Sequence, residues 1–157
     1  MSSSDASTET TSATPATSAS STASAAGSAA PAPAVLPGRR GVGPYRVVMV
    51  CTGNICRSAM AEIVLRDRLA AAGISDSGPG GVTVTSAGVS DEERGNPIDS
   101  RARRVLTEAG YGVGADDVSR ATGIAIASHT AHRVTDAEIT EADLLLAMTD
   151  SHWNVLQ

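Results

Sequence analysis

Hydrophobic residues run without a break from Val47 to Val50, inside a stretch from Tyr45 to Val50 that predicts a strand buried on both faces of a parallel sheet. After a short polar interval an amphipathic pattern follows from about Ser58 to Ala72 and predicts a helix. Further along, the patterning predicts a strand over 82–86, helices over 99–110 and 135–141, a strand over 143–148 and a helix starting near Asp150. Strands and helices that alternate in this way predict an α/β fold on a parallel sheet. Thr135 and Glu138 have the spacing of a capping box. Residues 112–128 carry no clear period, and the run Gly123-Ile124-Ala125-Ile126-Ala127 fits either an extra strand or a loop.

The chain before this pattern is of another kind. From Met1 to about Leu36 it is almost all Ser, Ala, Thr, Pro and Gly, which cannot bury enough apolar surface to offset chain entropy. Residues 1–37 are therefore expected to be a disordered tail, with the folded domain over 45–157. The tail lacks the basic start and apolar core of a secretory signal. No other stretch is long enough to cross a bilayer. About 120 residues remain, enough for one core. With no Phe and only 2% aromatic residues, that core must be made of Val, Leu, Ile, Ala and Met. A formal net charge of -5 argues against general nucleic-acid binding.

Candidate chemistry sits between the first strand and the first helix, in Cys51-Thr52-Gly53-Asn54-Ile55-Cys56-Arg57-Ser58. Ligands of parallel sheets gather at the carboxyl ends of strands, where Cys51 falls. A loop entering a helix aims backbone N–H groups and the positive end of the helix at one point, so it can hold an oxyanion without a metal. A free thiol has a pKa of about 8.5, and a helix N-terminus with a nearby cation favours its thiolate. Arg57 is that cation, and its planar fork can donate two parallel hydrogen bonds to a phosphoryl group. Ser58 offers a hydroxyl to the sulfur. Asn54, after Gly53, is suited to a left-handed backbone and to tying the loop together through its amide. Attack of Cys51 on phosphorus would give a thiophosphate intermediate, which water then hydrolyses. His129, His132 and His152 share no metal-ligand spacing with the cysteines and read as structural or exposed, with His132 a candidate support of the site. No metal or cofactor is implied.

The longer string from Val50 to Glu62 resembles the low-molecular-weight protein tyrosine phosphatase family, and the resemblance covers roughly residues 45–157. Thr85-Ser86-Ala87-Gly88, Gly95 to Ala102, His129 to Thr135 and Ala142 to Met148 are similar to later segments of that family. The resemblance implies a three-layer, doubly wound parallel sheet of the phosphatase I type. It implies phosphomonoester hydrolysis by Cys51, with Arg57 as clamp and Thr52, Gly53, Asn54, Ile55, Cys56, Arg57 and Ser58 around the phosphate. Substrates would be a phosphotyrosine protein or a small aryl phosphate, and the location cytoplasmic. The family's general acid is an Asp of an Asp-Pro pair near the C-terminus, and this sequence contains no such pair. The expectation is a domain lacking the acid loop and the last helix, with an uncovered strand beside Leu144 to Met148.

Some readings stay open at this stage. Cys56 either packs or traps oxidised Cys51 as a reversible disulfide. Asp91, Glu92, Glu93 and Arg94 form a solvated turn or line the substrate cleft, where Val89 supplies no aromatic surface. Trp153 is expected to pack the last helix. Two other functions compete. One is arsenate reduction, which would need an external thiol because both cysteines lie inside the loop. The other is a non-catalytic phosphate-binding module.

Overall fold

The computed structural model describes residues 35–111 and 126–157. Three parallel strands form its sheet: β1 (Tyr45–Cys51), β2 (Val82–Gly88) and β3 (Leu144–Ala147), in the order β2-β1-β3. Helix α1 (Arg57–Ala71) follows β1, and α2 (Ser100–Glu108) follows β2. A 3-10 turn at Ile126–Ser128, α3 (Asp136–Glu141) and α4 (Asp150–Val155) complete the order.

β1 is central because both its faces are apolar. Val47 and Met49 join Val84 on one face, under Ala61, Leu65 and Leu69 of α1. Val48 and Val50 join Ala87 on the other, against Ala142, Val134 and Leu156. Helices therefore cover both sides of the sheet, as the doubly wound reading predicts. A separate cluster of Ala59, Ile63, Ile98, Ala102, Leu106 and Ile126 locks α2 and the 3-10 turn onto α1. Among the described residues β3 has no strand on its outer side, and Leu146 is 37% exposed there.

Every predicted helix and strand is present, and the differences lie at their ends. β2 runs two residues past the predicted 82–86, because Ala87 and Gly88 pair with Val50 and Cys51. α2 ends at Glu108 rather than 110, where Gly110 takes φ 86°. The capping box forms as predicted, with Thr135 accepting from the N–H of Glu138 and Glu138 accepting from the N–H of Thr135. Gly123–Ala127 lies mostly outside the described residues, and its described end begins the 3-10 turn rather than a strand. The expected tail also lies outside them except for 35–37, where the Pro37 carbonyl accepts from Tyr45 Oη at 3.1 Å.

Asp143 holds the entry to β1. Its carboxylate accepts from the backbone N–H of Arg40 at 2.5 Å and of Arg46 at 2.8 Å. Those two N–H groups, Arg40 first, hold the carboxyl below its ordinary range. A carboxyl so lowered contributes stability that is complete above the unfolded value near pH 4 and is lost as pH falls through the folded value. Asp143→Asn is expected to unfold at lower urea concentration at pH 7 and to lose less further stability than the unsubstituted chain between about pH 5 and pH 2. Parallel pH profiles of the two chains would contradict this anchor.

Candidate active site

The loop from Cys51 to Arg57 begins where β1 ends and closes where α1 starts. Most of its carbonyls are hydrogen-bonded to the segments around it. The Cys51 carbonyl accepts from Val89 N–H at 2.9 Å, that of Thr52 from Ser90 at 3.0 Å, that of Ile55 from Asp99 at 2.8 Å and that of Cys56 from Met60 at 2.9 Å. Among the described residues no backbone acceptor outside helix and strand takes an N–H of residues 52–58. Carbonyls bonded outward leave N–H groups inward, at the N-terminus of a 15-residue helix.

Asn54 is the point around which the loop turns. It is fully buried, with φ 57°, the left-handed conformation predicted for it. Its Nδ2 donates to Ser58 Oγ at 3.0 Å and to Ser86 Oγ at 2.9 Å. Its Oδ1 accepts from the His132 N–H at 3.2 Å, and its carbonyl from His129 Nε2 at 2.5 Å. Ser86 passes its own proton to Glu62 at 2.6 Å. The histidine segment thus braces the loop from behind. His132 Nε2 also donates to Glu138 at 2.9 Å. Burial opposes ionisation of Glu138, yet the bonds from His132 and Thr135 outweigh it and lower the carboxyl.

Cys51 is buried, with Sγ 3.0 Å from Ser58 Oγ. Ser58 Oγ also lies 3.2 Å from the Ala87 carbonyl. With Asn54 donating to it, this hydroxyl has one proton to give. Facing a thiol it takes the S–H and gives its proton to Ala87. Facing a thiolate it turns that proton to the sulfur. Both states are satisfied, so the sulfur can ionise without leaving a buried polar group unpaired.

Arg57 is exposed and donates from Nη2 to Thr52 Oγ1 at 3.2 Å, so its guanidinium lies across the mouth of the loop. Thr52 Oγ1 is in turn 3.0 Å from His152 Nε2. Cys56 is exposed and unbridged, which removes the packing alternative predicted for it. The turn after β2 leans on the loop: a Cβ on Gly53 would meet Glu93 Cγ at 2.7 Å. Arg94 pairs with Asp91 at 2.5 Å on the exposed side of this turn.

Residues to which the sequence assigns no role at the loop also matter. Gly88 lets the end of β2 touch the loop, since a Cβ there would stand 2.5 Å from the Thr52 carbonyl and 3.1 Å from the Asn54 nitrogen. Ser86, Glu62 and His129 enter the Asn54 network. His152, expected to be structural or exposed, is 5% exposed and faces Thr52, whereas Trp153, expected to pack, is 47% exposed. Among the described residues no group of His, Cys, Asp or Glu could hold a metal ion.

Residues 46–119 match the family described as low molecular weight phosphotyrosine protein phosphatase. The chain is 34% identical over 113 residues to a low molecular weight protein-tyrosine-phosphatase of Streptomyces coelicolor, covering 72% of this chain and 58% of that one. It is 37% identical over 114 residues to low molecular weight protein-tyrosine phosphatase A of Mycobacterium tuberculosis, covering 73% and 58%. A solved low molecular weight protein tyrosine phosphatase from T. tengcongensis superposes with a TM-score of 0.53 at 35% identity, over 70% of this chain and 62% of that one. The chain thus spans just under three fifths of the length of these two curated relatives.

Two substitutions test the loop. Asn54→Ala removes three side-chain bonds and a residue tolerant of positive φ, and is expected to cost about 2–4 kcal/mol in urea unfolding. Gly88→Ala is expected to leave the helices formed by circular dichroism while weakening inorganic phosphate binding at least about tenfold. Unchanged phosphate affinity in Gly88→Ala would contradict the close approach of β2 to the loop.

Proposed function

We propose that this chain, which matches the low molecular weight phosphotyrosine protein phosphatase family over residues 46–119, cleaves phosphomonoesters, a phosphotyrosine protein or small aryl phosphate, through Cys51. One observation carries this reading above the rest: the buried sulfur sits 3.0 Å from a hydroxyl that can serve either protonation state, at the mouth of a loop most of whose carbonyls are bonded to the segments around it.

The steps balance. The Cys51 thiolate attacks phosphorus, an S–P bond forms, and the ester P–O bond breaks with its electron pair leaving on the phenolate. Backbone N–H groups of the loop and the Arg57 fork offset charge on the equatorial oxygens. The oxygen of a water molecule then attacks phosphorus, the S–P bond breaks, and sulfur regains its pair as a thiolate held by Ser58. The proton of that water passes to solvent, and inorganic phosphate leaves. A leaving group as good as para-nitrophenolate departs without a proton, so this substrate reads the cysteine step alone. A positioned acid is worth typically 10² to 10⁴ in rate, and an alkyl ester or poorer leaving group would depend on it.

The same reading suits a reducing compartment such as the cytoplasm, because the nucleophile must stay a free thiol, and Cys51 and Cys56 are both free. No helix among the described residues is long and apolar enough to cross a membrane.

Hydrolysis of para-nitrophenyl phosphate by the purified chain is expected, with Cys51→Ser abolishing turnover and still binding phosphate. Arg57→Lys is expected to weaken phosphate binding about tenfold or more, because a point charge replaces a fork. Turnover that survives Cys51→Ser would overturn the assignment of the nucleophile, and unchanged binding in Arg57→Lys that of the clamp.

A further inference from the structure

His152 reaches the nucleophile loop from a different part of the chain. It lies in the first turn of α4, where Thr149 Oγ1 accepts its N–H at 3.3 Å, and β3 sets the position of α4 by pairing with β1 from Val47 to Val50. Its ring is buried, with Nε2 3.0 Å from Thr52 Oγ1 and Nδ1 buried without a partner among the described residues. An unpaired buried nitrogen is a cost that an apolar side chain of similar size would not carry. The nitrogen that is paired therefore points to the use of the ring.

Thr52 Oγ1 stands between two nitrogens, Arg57 Nη2 at 3.2 Å and His152 Nε2. Arg57 can only donate, so it occupies one lone pair of the hydroxyl. The bond to His152 fixes what remains. With the proton on Nε2, His152 donates to Thr52, and the hydroxyl proton turns toward the anion space. With the proton on Nδ1, Thr52 gives its proton to Nε2. Either way Thr52 cannot rotate away from Arg57. Burial first, and the charge of Arg57 second, favour the uncharged ring that this arrangement needs. Arg57 of α1 supplies the charge that acts on the ring, β3 carries no charged residue, and Asp150 is the acid on its own helix.

We propose that His152 is a positioning residue of the oxyanion site, anchoring Thr52 so that Thr52 holds the Arg57 guanidinium across the loop. This rests on the phosphate-site reading above and adds to it a dependence on α4.

Two amides separate the ring nitrogens. A Gln side chain places its terminal amide near the position of Nε2, whereas Asn reaches only that of Nδ1. Inorganic phosphate binding by calorimetry at pH 7 is expected to stay within about threefold of the unsubstituted chain in His152→Gln and to weaken about tenfold in His152→Asn. Thr52→Val is expected to weaken it similarly, with the Thr52→Val, His152→Asn double variant losing far less than the product of the single losses. Circular dichroism and thermal unfolding of each variant report the fold separately. Equal affinity in the Gln and Asn variants, or losses that multiply with Thr52→Val, would overturn the inference while leaving the phosphate site standing. Absence of phosphate binding by the unsubstituted chain would overturn the phosphate site itself, and the inference with it.

Discussion

The buried, left-handed Asn54 is the constraint on which the site depends. A loop whose carbonyls at Cys51, Thr52, Asn54 and Ile55 bond to the surrounding segments must reverse within a few residues, and the reversal here falls at φ 57° on an L residue. That conformation costs roughly 1–2 kcal/mol, and the fully hydrogen-bonded Asn54 side chain offsets it. The same amide ties together pieces distant in sequence: Ser58 on α1, Ser86 on β2 and the backbone of His132. Reactivity at Cys51 is thereby linked to the sheet. The hydroxyl that serves the sulfur is held by Asn54, and the Ala87 carbonyl that accepts from it belongs to β2.

Around that point the sheet supplies position and the loops supply chemistry. β1 is buried on both faces and cannot shift, so its carboxyl end presents Cys51 in one place. Gly88 lets β2 close against the loop, and the segment from His129 to Val134 braces it from the far side through bonds to Gly88 and Asn54. Among the described residues β3 pairs only with β1, and Leu146 is partly exposed.

What could be read from the sequence was what is local. Cys51, Asn54, Arg57 and Ser58 lie within eight consecutive residues, so spacing alone brings them together between a strand and a helix. The capping box at Thr135 is local in the same sense. Element ends were less legible because a partner decides them: β2 extends to Gly88 because Cys51 lies opposite. Orientation on α4 was the least legible. Six residues make too few turns for a period to emerge, so nothing in Asp150-Ser151-His152-Trp153-Asn154-Val155 says that His152 faces inward and Trp153 outward. A topological signal was available, since adjacent parallel strands bring their carboxyl ends together and the first turn after β3 must lie near the loop after β1. The exposure of Cys56 was hidden for a similar reason, because the apolar pattern of α1 begins only after it.

The central claim is that the Cys51 sulfur bonds to phosphorus. Its most direct measurement is acid quenching of the chain during reaction with para-nitrophenyl phosphate, followed by mass-spectrometric mapping of any retained phosphoryl group. The account predicts that group on Cys51, and none on any residue in Cys51→Ser. A folded chain that releases para-nitrophenol with no phosphoryl group ever on Cys51 would contradict it.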